Sequence, residues 1–85
     1  MAEDRTYGSE EVLDFTSEVG QLMLENGAEI SRVEETMDRI STHYGVERKD
    51  FFVLSNGIFT TGRNFAKVMF IPIKGTLLSR VVDAN

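Results

Sequence analysis

Residues 26–44 read NGAEISRVEETMDRISTHY, from Asn26 to Tyr44. Within this stretch Ile30, Val33, Met37, Ile40 and Tyr44 recur at spacings of three, four, three and four. At about 100° per residue those positions fall on one narrow stripe of an amphipathic helix. Asn26-Gly27 before it and Gly45 after it are helix stops, because glycine enters the left-handed conformation without steric cost. A bracketed helix with one apolar stripe must bury that stripe, and the flanking segments show against what.

Upstream, Ser9 offers an N-cap hydroxyl, and Glu10 and Glu11 suit the positive end of a helix dipole. Val12, Phe15, Val19, Leu22 and Met23 give this first helix its stripe, widened by Leu13, Gly20 and Leu24. Gly20 in mid-helix costs about 1 kcal/mol against Ala, which predicts close approach of another backbone. The short Asn26-Gly27 link makes the two helices a hairpin. Residues 1–8 are polar and aperiodic and read as a frayed tail, leaving 9–85 as a single domain.

Downstream the period changes from helix to strand. Phe51-Phe52-Val53-Leu54-Ser55 and Ile58-Phe59-Thr60-Thr61 are strand-forming runs around Asn56-Gly57, which fits either a tight hairpin or a bulge within a longer strand. Gly62-Arg63-Asn64 is a second turn, and Phe65 to Ile71 is the longest strand, ended by Pro72. Gly75 and Thr76 open a last helix with Leu77, Leu78, Val81 and Val82 on its apolar side. No stop signal closes that helix at Asn85, which fits continuation into a further domain. The expected fold is therefore α+β: a helical hairpin, a small antiparallel sheet of about three strands, and a C-terminal helix. The strands are apolar on both faces, with Phe65, Met69, Ile71 and Ile73 on one side and Ala66, Val68 and Phe70 on the other. A half-exposed sheet alternates apolar with polar, so cover on both faces is expected, and a homodimer through the sheet supplies it.

Composition narrows the function classes. Of 85 residues, 41% are hydrophobic and 27% charged, which suits one modest core. The absence of cysteine removes disulfides and thiolate metal sites, and a single histidine removes a His-rich metal site, so no metal or cofactor is expected. The net charge of −5 repels a phosphate backbone and argues against nucleic acid. No apolar run approaches the ~20 residues that span a bilayer, and the acidic start MAEDRTYGSEE lacks a signal-peptide core. A cytosolic chain is expected.

Candidate chemistry lies on the second helix. Glu29, Arg32, Thr36 and His43 fall within about 60° of one another on one flank, with Glu34 and Ser41 on the other. Glu29 with Arg32 and Glu35 with Arg39 are spaced for ion pairs, so this flank reads either as a solvated face or as a small polar binding site. Glu34, beside the apolar stripe, needs a donor if it is half-buried, and Arg63 and Lys67 are the candidate partners. His43 suits the negative end of the helix dipole more than catalysis. No serine sits in a nucleophile motif and no glycine run forms a phosphate loop, so the residues favour a non-enzymatic role.

The run Leu24-Glu25-Asn26-Gly27-Ala28-Glu29-Ile30-Ser31-Arg32-Val33-Glu34-Glu35-Thr36 resembles the opening signature of the threonine/serine exporter family. Phe52 to Ile58 is similar to that family's strand-turn-strand segment, and Lys74-Gly75 through Asn85 to its basic-glycine segment and following helix. Ser55-Asn56 stands where Pro-Thr is common, and Leu77 where Asn is common. The resemblance implies the soluble N-terminal domain of a bacterial inner-membrane amino-acid exporter, on the cytoplasmic side, whose membrane domain lies outside these residues. It implies a module that assists gating, assembly or substrate coupling, with Glu29, Arg32, Glu34 and Thr36 as binding candidates and a small amino acid as a possible ligand. An amide hydrolase using Glu29, Arg32 and His43 and a pure oligomerisation module are the alternatives.

Overall fold

The computed structural model describes residues 7–71. Two helices, α1 (Ser9–Glu25) and α2 (Ile30–His43), precede three strands, β1 (Lys49–Leu54), β2 (Gly57–Gly62) and β3 (Phe65–Phe70). The strands form one antiparallel sheet in the order β1-β2-β3, and both helices lie on the same face of it. The expected helical hairpin and three-stranded sheet are present. The helix expected from Gly75 onward lies outside the described residues.

Both helices end alike. In α1 the Gly27 N–H bonds the Leu24 carbonyl at 3.0 Å and the Ala28 N–H bonds the Met23 carbonyl at 3.0 Å. In α2 the Gly45 N–H bonds Thr42 at 2.9 Å and the Val46 N–H bonds Ser41 at 2.9 Å. Gly27 and Gly45 carry φ of 87° and 85°, so each helix closes in a Schellman motif that only glycine enters cheaply. The start of α1 differs from expectation: its N-cap is Gly8, whose N–H donates to the Glu11 carboxylate at 3.2 Å, and Ser9 is already helical. An acid three residues inside the helix has replaced the hydroxyl cap.

The buried stripe of α1 is Val12, Leu13, Thr16, Ser17 and Gly20, while Phe15 and Leu22 face solvent. The hydroxyls can be buried because each turns back on its own helix. Thr16 Oγ1 donates to the Val12 carbonyl at 2.6 Å, and Ser17 Oγ lies 2.8 Å from the Leu13 carbonyl and 2.7 Å from Thr60 Oγ1 on β2. Gly20 is small for a reason other than the one expected. A Cβ there would lie 2.6 Å from Met37 Sδ and 3.0 Å from Ile58 Cδ1, so side chains, not a backbone, fill its space. On α2 the buried line is Val33, Met37 and Ser41, with Ile30 and Tyr44 at its exposed margins.

Two clusters make the core. Val33, Met37, Val53 and Ile58 pack with Met23, Leu24 and Ala28, and Val12, Leu13 and Val46 pack with Phe65; Phe51 joins both. The first connection in the sheet is a tight hairpin, not a bulge. Leu54 pairs with Gly57, which puts Ser55 and Asn56 at the turn centre in place of Asn56-Gly57. Neither residue has positive φ, so this is not the mirror-image turn that Asn-Gly favours. Gly57 is required inside the strand, where a Cβ would lie 3.0 Å from the Met69 carbonyl oxygen.

Candidate functional site

The polar flank of α2 is displayed to solvent. Glu29 is the N-cap residue, and its carbonyl accepts the Val33 N–H at 3.0 Å; its side chain makes no cap bond. Arg32 and His43 are exposed, and Thr36 is half-buried. Of the two anticipated ion pairs on this helix, Glu35 with Arg39 is present at 3.8 Å. Fourteen residues at about 1.5 Å each separate Glu29 from His43 by roughly 20 Å along the axis, so one helix cannot bring them to a common substrate atom. Glu29, Arg32 and Thr36 share the first two turns and can meet one small molecule. Glu34 is half-buried, and Arg63 is exposed. Lys67, its other candidate partner, is engaged by the Asp14 carboxylate of α1.

That pair explains how a lysine tolerates the helix-covered face of β3: its stem packs under α1 while the ammonium reaches Asp14 at the rim. A second lysine went unforeseen. The Lys49 side chain is only 10% exposed, and its ammonium donates to Thr42 Oγ1 at 2.7 Å and to the Val46 carbonyl at 3.0 Å, with Asp38 at 3.5 Å. It places a positive charge at the negative end of α2, the role foreseen for His43. His43 instead stands edge-on to Tyr44 at 4.9 Å, and Tyr44 in turn to Tyr7 at 5.8 Å.

Tyr7 and Tyr44 wall an open cleft of about 440 Å³ beside α1, completed by Glu11, Val12, Asp14, Phe15 and Glu18. Aromatic walls with carboxylates suit an amine more than an anion. The Asp14 contact with Lys67 already satisfies part of that charge. Glu11, Asp14, Phe15 and Glu18, which share one face of α1, are the trace of the cleft in sequence. Among the described residues no group of histidine, cysteine and carboxylates could hold a metal ion.

Among the described residues nothing covers the other face of the sheet. Phe52, Leu54, Phe59, Val68 and Phe70 point away from the helices and are 40% to 73% exposed. The register puts Phe52, Phe59 and Val68 in one row across the strands, with Leu54 and Phe70 in the next.

A family model described as "Putative threonine/serine exporter", ThrE, matches residues 14–85. The chain belongs to the threonine/serine exporter family. The match takes in α1 from Asp14 onward, the whole of α2 and the sheet, so both the polar flank and the bare face belong to the part this exporter-family chain shares with the model. No curated protein matches the chain, and no solved structure does. No helix among the described residues is long and apolar enough to cross a membrane.

Proposed function

We propose that this chain is the N-terminal module of a threonine/serine exporter-like transporter, lying on the cytoplasmic side of a bacterial inner membrane. It assists assembly, gating or substrate coupling of amino-acid export carried by a membrane domain. The family match over residues 14–85 carries this reading. The described helices are amphipathic and pack on the sheet, which supports an auxiliary role for this part of the protein. The first two turns of α2 are the surface for a small amino acid, with the Arg32 guanidinium opposite a carboxylate, Glu29 opposite an ammonium and Thr36 offering a hydroxyl. Glu34, half-buried on the opposite flank across the apolar stripe, is a separate binding candidate. An amide hydrolase is disfavoured by the distance along α2 between Glu29 and His43.

An export assay tests the reading. Cells lacking their own exporter are loaded with a threonine-containing dipeptide, and intracellular threonine is followed with and without the gene that encodes this chain. The gene lowers the threonine pool, and Arg32→Glu abolishes at least half of that effect while the purified chain keeps its melting midpoint. A pool unaffected by the wild-type gene rejects the transporter reading, and an unaffected Arg32→Glu removes the α2 surface from it.

A further inference from the structure

The bare face of the sheet is the largest feature that the proposed function leaves unused. Its five exposed side chains include three phenylalanines. Taking about 200 Å² for a whole phenylalanine, they present roughly 500 Å² of apolar surface, at the upper end of what a monomer leaves open. We infer that this face binds a second copy of the same chain, sheet against sheet, about a two-fold axis.

The area argues for a copy. Two such faces together bury roughly 1,000 Å², the lower limit for a specific interface, before any contribution from strand edges. A three-stranded antiparallel sheet is the shape that packs on another of its kind at about 10 Å, with strands aligned to within about 30°. The register then fixes the axis. The row Phe52, Phe59 and Val68 lies beside the row Leu54 and Phe70. A two-fold axis crossing the strands at the level of Ile58 lays the first row of one copy over the second row of the other. Among the described residues the only charge on this face is Asp50, paired with Thr61 in the next row. The same axis carries that row past the partner's Ser55–Asn56 turn, into water, so no like charges meet inside the contact.

This dimer does not depend on transport and is tested on the purified full chain. Light scattering from a few to several hundred micromolar follows the mass from 9.6 kDa towards twice that value, with a dissociation constant in the micromolar range. Each copy carries a net charge of −5, so raising salt screens the repulsion and tightens the dimer. Phe59→Thr, at the centre of the face, weakens association at least tenfold while circular dichroism melts stay within a few degrees. Val68→Lys, at the edge of the same row, does the same if the first variant folds poorly. A chain that stays at 9.6 kDa throughout overturns the inference and leaves the face to another part of the complete transporter. A dimer indifferent to both substitutions also overturns it.

Discussion

Lys49 and Lys67 are two lysines on one sheet with different surroundings, and the difference sets what each contributes. The Lys49 ammonium is nearly enclosed and bonded to Thr42 and to the Val46 carbonyl, so removing it strands acceptors at the end of α2. Lys49→Met, which keeps the stem, should cost about 1–2 kcal/mol in urea melts. Lys67→Met breaks a pair whose acid is half-exposed, and about 0.5 kcal/mol or less is expected. Equal losses would mean that the enclosure of Lys49 adds nothing. Gly20 gives a second contrast. Gly→Ala inside a helix normally stabilises by up to about 1 kcal/mol, yet here the new methyl meets Met37 and Ile58 in a filled core. Gly20→Ala should therefore destabilise by about 1–2 kcal/mol. Adding Met37→Ala should give a favourable coupling, since each change makes room for the other. A Gly20→Ala chain more stable than wild type would refute the crowding.

The two helices owe their length to the glycines that follow them. Gly27 and Gly45 have open space where a side chain would go, so replacing either by alanine has a purely conformational cost, expected at about 1–2 kcal/mol each. The two losses should add, because the motifs share no contacts; strong coupling in the double variant would contradict that independence. These stops were legible in the sequence, as was the stripe centred on Val33 and Met37, because glycine punctuation and helical periodicity are local signals. The strand runs were equally plain. The inner face of α1 was not. Periodicity ranked Phe15 and Leu22 as core and passed over Thr16 and Ser17, since a hydroxyl that bonds its own helix looks polar by type while behaving as a core residue. The turn centre slipped by one residue because Gly57 serves the strand, against the Met69 carbonyl, and not the turn. Of the candidate site, Glu29, Arg32 and Thr36 could be placed on one flank from spacing alone. The enclosure of Lys49 and the Asp14–Lys67 pair could not, because each joins elements distant in sequence.

Among the described residues the sheet has a dressed face and a bare one, and one fully buried polar contact joins the dressed face to α1. Ser17 and Thr60 are both fully buried and bond each other at 2.7 Å. Replacing Ser17 by alanine leaves the Thr60 hydroxyl without this partner and should cost about 1–3 kcal/mol. Thr60→Val removes the other member, and combining the two should cost less than their sum, which urea melts of the three variants will read directly. Additive losses would show that the two hydroxyls do not depend on each other.

The contact between α1 and the central strand also sets an order of events during synthesis. Leu13, in the second turn of α1, is sheltered by Val46, Phe51 and Phe65 and abuts Gly62. None of these has been made when Leu13 is joined to the growing chain. At about 5–20 residues per second, several seconds pass before the last of them is made. The nascent helical hairpin must wait through that interval with its apolar stripes uncovered, and the sheet that finally receives it emerges as two successive local hairpins that can close at once.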